Sequence, residues 1–203
     1  MTAAPRLSIR GLRCAVARWP ALDLAAGACA ALAGPSGSGK SRLLRAIADL
    51  DPSEGELRLD GEARSAFAAH RWRRLVVYLP AASAWWAERV GDHLPAVEPQ
   101  TLAALGFAED VVAWSVQRLS SGERSRLALA RAVALGPKAL LLDEPTANLD
   151  AATTAAVEGV VEERRAAGLA AVWVTHDPAQ AERLGAQRYA LRDGVAEAAE
   201  ALA

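Results

Sequence analysis

Apolar residues fall along this chain in two alternating rhythms. Short uninterrupted runs, Ala28 to Ala33, Leu75 to Leu79, Ala139 to Leu142 and Ala170 to Val174, stand apart from longer segments in which apolar positions recur at helical spacing. Runs of that kind suit parallel strands buried on both faces, and the periodic segments suit the helices that cover them. The pattern predicts helices over Lys40 to Ala48, Gly122 to Leu135, Ala151 to Ala167 and Pro178 to Leu184. The last opens with Asp177 as N-cap and Pro178 at the first helical position. Leu7 to Arg10 and Leu22 to Leu24 read as antiparallel edge strands, Glu56 to Leu59 as a strand before the Asp60-Gly61 turn, and Arg188 to Leu191 as a further sheet strand. The alanine-rich tail after Gly194 is expected to fray. The sum is an α/β fold with a mixed central sheet and an antiparallel β edge.

Between the run Ala28 to Ala33 and the helix at Lys40 stands Gly34-Pro35-Ser36-Gly37-Ser38-Gly39-Lys40-Ser41, followed by Arg42. Glycine, four residues, glycine, lysine, serine between a strand and a helix is the pattern of a phosphate-cradling loop. Successive backbone N–H groups and the helix N-terminus make a cationic nest, and the glycines allow close approach. Lys40 would reach the outer phosphates and Ser41 would hold Mg2+. Only two of the 23 basic residues are lysines, and one stands where a compact, mobile ammonium is wanted.

Farther on, Leu119-Ser120-Ser121-Gly122-Glu123 precedes an amphipathic helix, and the run Ala139 to Leu142 ends in Asp143-Glu144-Pro145. Two carboxylates at the carboxyl end of a central strand lie where open α/β sheets bind ligands. There Asp143 would hold Mg2+ through water and Glu144 would polarise an attacking water. Ala147-Asn148-Leu149-Asp150 follows, and after the strand Ala170 to Val174 comes Thr175-His176-Asp177.

In this order, from about Leu7 to Arg192, the residues resemble the nucleotide-binding subunit of ATP-binding cassette (ABC) transporters, of the small bacterial single-cassette type. The resemblance implies a P-loop NTPase with a RecA-like lobe over about 1–82 and 136–203 and a short helical subdomain with the signature over about 83–135. It implies a head-to-tail dimer with a second copy or a homologous ATPase subunit, and two ATP molecules at the interface. Ser120, Ser121, Gly122 and Glu123 would close on the partner's ATP, with Ser120 and Gly122 at its outer phosphate. Asp150 would couple the two sites and His176 would hydrogen-bond the γ-phosphate. The function implied is Mg2+-dependent ATP hydrolysis, with Lys40, Glu144 and His176 as the catalytic group, coupled to separate transmembrane permease subunits. The chain is then expected in the cytoplasm, peripheral on the inner membrane through its permease. The alternatives are a soluble ABC-type ATPase acting on nucleic acid or ribosomes, and a regulatory dimer with little hydrolysis.

Three departures from the family pattern bear on that reading. The strand Leu75 to Leu79 and Pro80 lead to Ala81, where a metal-ligating Gln is usual. Ser83 or water would fill its place, or Ser41 and Asp143 would hold the metal alone. The signature carries Ser121 for a Gly and Glu123 for a Gln. No aromatic ring follows the first strand to stack on adenine; Trp19 is the nearest candidate, and it reads equally as a core or edge tryptophan of the antiparallel strands.

Composition narrows the field without redirecting it. At 203 residues and 52% apolar, the chain has the core of one domain. A net charge of -1 implies no nucleic-acid stripe, and the cluster Arg71-Trp72-Arg73-Arg74 reads as solvated surface or phosphate-proximal. Cys14 and Cys29 lack metal spacing and read as reduced thiols. No signal pattern opens the chain, and no apolar run approaches the length of a membrane span. Adjacent Trp85 and Trp86, placed on a helix, would point to different faces, so that either an exposed ring lines a groove that accepts a cytoplasmic helix of the permease or both rings fill the core of the short lobe.

Overall fold

The computed structural model describes residues 4–94 and 97–199. Among them, ten strands form one sheet: β1 (Leu7–Arg13), β2 (Arg18–Leu24), β3 (Cys29–Ala33), β4 (Glu54–Leu59), β5 (Glu62–Ala63), β6 (Val76–Leu79), β7 (Ala139–Asp143), β8 (Ala170–Val174), β9 (Gln187–Arg192) and β10 (Val195–Ala198). Their order is β5-β4-β1-β2-β10-β9-β3-β8-β7-β6. From β9 to β6 the pairings are parallel, and at the other end β5, β4, β1 and β2 are antiparallel, which is the mixed sheet that the pattern predicts.

The helices are α1 (Lys40–Ile47), α2 (Ala69–Leu75), α3 (Pro99–Ala104), α4 (Ser121–Ala134), α5 (Ala151–Ala166) and α6 (Pro178–Arg183). Alternation along the buried strands sends successive side chains to opposite cores. Ala139 and Leu141 of β7, with Val172 of β8, pack among Leu43, Leu44 and Ile47 of α1. Leu140 and Leu142, with Trp173, pack among Leu127 and Leu129 of α4 and Val157 and Val161 of α5. Uninterrupted apolar runs are therefore required, because neither face of these strands meets water.

Between β6 and β7 the chain leaves the sheet through 3-10 turns at Val90–His93, Glu109–Ala113 and Val116–Arg118, with α3 and then α4. Val90, Leu102, Leu105 and Val111 share one core with α4 and α5. The two tryptophans do not stand on a helix. Residues 83–88 form no regular element; Trp85 packs against the core, whereas Trp86 is 72% exposed.

Three elements depart from the expectations. The tail after Gly194 does not fray at once: β10 pairs antiparallel with β9, and Val195 bridges to Arg18 of β2. Its alanines carry little pattern, and β2 and β9, which flank it in the sheet, supply the partners that fix it. Ala201 to Ala203 lie outside the described residues. The Arg71–Arg74 cluster belongs to α2, where the three arginines are exposed but Trp72 is fully buried, its indole N–H donating to Ile47 O at 2.9 Å. Leu75 ends that helix instead of opening β6.

Candidate functional site

Register brings the predicted site residues to one edge. Leu32 of β3 lies beside Val174 of β8, and Val174 lies beside Asp143 of β7. Gly34, Thr175 and Glu144 therefore leave the sheet side by side at the carboxyl ends of neighbouring parallel strands, the position where such sheets bind ligands.

The loop from Gly34 to Gly39 is tightly seated. A Cβ on Gly34 would come within 2.9 Å of Leu191 O, and one on Gly39, at φ 106°, within 3.0 Å of Val16 Cγ2. Both positions need glycine for that closeness, and Gly39 for its backbone angle as well. Lys40 is 6% exposed and folds back over the loop, its ammonium donating to Gly34 O at 2.7 Å and Pro35 O at 2.9 Å. Ser38 Oγ is buried and makes no hydrogen bond among the described residues, an uncommon condition for a buried hydroxyl. Together with the unpaired first N–H groups of α1, it fits an anionic ligand that supplies acceptors. Arg42 is differently employed: its guanidinium pairs with Asp51 at 2.8 Å, beside Arg45, so only its backbone amide is left to the loop.

Asp143 is buried at 5% exposure. Tyr78 donates its phenolic O–H to Asp143 Oδ2 at 2.9 Å, and burial, reinforced by the carboxylate, pushes the phenol well above its usual pKa. Glu144 has φ 51°, left-handed backbone that a non-glycine residue holds at a cost of about 1–3 kcal/mol. Its Oε1 lies 3.0 Å from His176 Nε2. Behind this pair, Gln180 on α6, 3% exposed, donates to Thr146 Oγ1 at 3.0 Å and to Glu158 Oε1 of α5 at 2.8 Å. Glu144, Ala147, Leu149 and His176 line a concavity of about 300 Å3.

The second group of predicted residues assembles apart from the loop. Ser120 caps α4 in a capping box: its Oγ accepts from Glu123 N–H at 3.2 Å, and Glu123 Oε2 accepts from Ser120 N–H and from its hydroxyl, both at 2.8 Å. These bonds hold the Glu123 carboxyl below its usual range. Ser121 opens the helix, exposed, and Gly122 packs against Leu149, whose Cδ2 would meet a Cβ there at 3.0 Å. Asp150 caps α5 through Thr153 N–H at 2.9 Å. Among the described residues, no hydrogen bond joins this group to residues 34–41.

Of the two readings of Trp19, the core one holds: it is fully buried, edge-on to Tyr189 at 5.1 Å between ring centroids, and cannot stack on a base. The side chains of that hairpin that meet the loop at Gly39 are Val16, 55% exposed, and the buried Ala17. Ser83, one of the options for the place of the Gln, lines an apolar groove of about 410 Å3 with Trp86, Leu79, Pro80, His93 and Leu135. The sequence reading missed Tyr78, the lone hydroxyl in a run of buried aliphatics, and Gln180, the buried amide of α6.

The family model for ABC transporters matches residues 20–147. The aliphatic sulfonates import ATP-binding protein SsuB of Cupriavidus necator is 38% identical over 184 residues, covering 86% of this chain and 60% of its own length. The Fe(3+) ions import ATP-binding protein FbpC of Pseudomonas fluorescens is 36% identical over 192 residues, covering 85% of this chain and 53% of its own length. The chain thus spans little more than half the length of these curated relatives. A solved structure described as the ATP binding subunit of an ABC transporter superposes with a TM-score of 0.84 at 23% identity over 99% of this chain and 90% of its own, which shows the shared fold. With the family model spanning the greater part of a chain that carries the loop, the paired acids and the His176 turn on adjacent strands, the chain belongs to the ABC transporter family.

Proposed function

We propose that this chain is the ATP-hydrolysing, energy-coupling subunit of a membrane ABC transporter, working as a head-to-tail dimer with two ATP molecules at the interface. The observation that carries the proposal is the convergence of the Gly34–Ser41 loop, Asp143, Glu144 and His176 at the ends of β3, β7 and β8. The orphaned Ser38 hydroxyl and the hard oxygen donors of Ser41 and Asp143 suit a phosphate chain and Mg2+ respectively. Bound there, Mg2+ would neutralise charge on the outer phosphates.

The chain's own residues divide the work. Residues 34–41 hold the phosphates through backbone N–H groups, and Lys40 exchanges its loop carbonyls for phosphate oxygens. Glu144, held on a left-handed turn and steered by His176, orients the attacking water and accepts its proton. His176 then has its ring beside the γ-phosphate. That no hydrogen bond among the described residues ties the signature group to the chain's own loop supports a site completed in trans: Ser120, Ser121, Gly122 and Glu123 meet the ATP of the second copy, with Asp150 at the seam. Val16 gives the base an aliphatic platform, so discrimination between ATP and GTP should be slight. Phosphate release per chain should then rise with protein concentration and require Mg2+; a flat, concentration-independent rate would contradict the dimer.

A permease helix fits the apolar groove beside β6. Trp86 stands at its rim, with Arg131 4.9 Å above its ring and His93 edge-on at 4.5 Å. An exposed indole beside an apolar groove is the kind of residue that dominates interfaces, where truncation costs about 2 kcal/mol or more. Among the described residues no helix is long and apolar enough to cross a membrane, so membrane attachment through this groove is in keeping with the proposal. Trp86→Ala should lower capture of the permease about tenfold or more while leaving ATPase activity of the isolated protein and its melting temperature in place. Unchanged capture by the folded variant would remove the groove from the account.

A further inference from the structure

Tyr78 carries chemistry that the proposed hydrolysis does not use. In parallel register it lies beside Leu141, so Asp143, two residues along β7, projects on the same face as the phenol. That is the face covered by α1, whose first turn carries Ser41. The tyrosine hydroxyl occupies Asp143 Oδ2 at 2.9 Å, and Oδ1 makes no hydrogen bond among the described residues. We propose that Tyr78 is a positioning residue for the divalent metal: by holding Oδ2 it fixes the rotation of the Asp143 carboxylate and leaves the other oxygen as the one offered to the metal.

The physical case has three parts. A carboxylate without a second partner turns about its terminal torsion, which is broad, and loses the orientation a metal shell needs. A hydrogen bond to one oxygen removes that freedom and presents the other at a fixed angle to the metal or to one of its waters, which suits Mg2+ with its strict octahedral shell and retained waters. The phenol is itself rigidly placed, half-buried on β6 against the α1 core, so the constraint passes from the sheet to the carboxylate without a flexible link. Ala81, two residues beyond the end of the same strand, offers only a methyl group. The metal shell therefore depends on how well Asp143 is held.

This inference rests on Asp143 as a metal ligand, and the test separates the two. Mn2+ binding would be followed by electron paramagnetic resonance on the whole chain with adenylyl imidodiphosphate, for wild type, Tyr78→Phe and Asp143→Asn. Affinity for the same analogue in EDTA would be measured beside it. Outer-shell partners of ligating carboxylates are commonly worth about 10–100-fold in metal affinity. Tyr78→Phe should weaken Mn2+ by about tenfold, sharpen less of the bound signal, and leave the EDTA affinity unchanged. A purely structural role would move both affinities together, and that result overturns the proposal. Asp143→Asn weakening Mn2+ while Tyr78→Phe does not would also overturn it and leave the ligand reading standing. If Asp143→Asn leaves Mn2+ at the wild-type affinity, both fall.

Discussion

Glu144→Gln leaves the fold intact and stops turnover. Gln tolerates left-handed backbone as Glu does, can still hydrogen-bond His176, and is isosteric, so the melting temperature should hold. What it cannot do is accept a proton from water. A positioned general base contributes about 10²–10⁴ in rate, and phosphate release should fall by that range. Because binding groups are untouched, ATP should accumulate on the protein, and the proposed ATP-bound dimer should become stable enough to resolve by size-exclusion chromatography. Turnover surviving at more than about a tenth of wild type would move the base elsewhere, since loss of a true one costs more.

Lys40→Ala removes the one ammonium of the loop and acts before chemistry. The side chain is 6% exposed and its donors now rest on Gly34 O and Pro35 O, so it is poised and already desolvated. Hydrogen bonds to charged groups contribute about 1.5–3 kcal/mol, which predicts a loss of roughly 10–150-fold in ATP affinity. Equilibrium binding of a fluorescent ATP analogue reads that directly. Lys40→Arg should not rescue it, because the planar guanidinium does not fit a space shaped for a compact ammonium. Affinity within about threefold of wild type for Lys40→Ala would contradict the loop's role, given those magnitudes.

Much of this architecture could be read from the chain because the decisive signals are local. A buried parallel strand has to be apolar throughout, so Ala139 to Leu142 and Ala170 to Val174 announced β7 and β8, and each site motif followed its strand directly. Asp177 with Pro178 is a cap whose bonds span only a few residues, and it formed as the sequence predicted, whereas the capping box of Ser120 with Glu123, equally local, went unread.

What was not legible depends on neighbours far away in sequence. β10 is a strand because β9 and β2 offer it partners, not because Val195 to Ala198 carries a pattern. Trp72 sinks into the core through a bond to Ile47, in a segment whose arginines read as surface. Sequence distance left Trp19 open between base and core; strand alternation turns it into the core beside Tyr189, and Val16 takes the exposed place. Tyr78 meets Asp143 across 65 residues, a contact fixed by strand order and register. Single-residue pattern carries neither.

The central claim is that each ATP site is built from two chains, and mixing two dead proteins tests it. Lys40→Ala disables a chain's own loop. Ser120→Asp keeps an N-cap residue on α4 but sets a negative charge against the partner's phosphates. Each variant alone should hydrolyse next to nothing. Combined in equal amounts, they form mixed dimers in which the intact loop of the Ser120→Asp chain faces the intact signature of the Lys40→Ala chain, and one competent site is restored. The account predicts that phosphate release returns on mixing. A mixture as inactive as its parts, from folded chains that co-elute as mixed dimers, would contradict it.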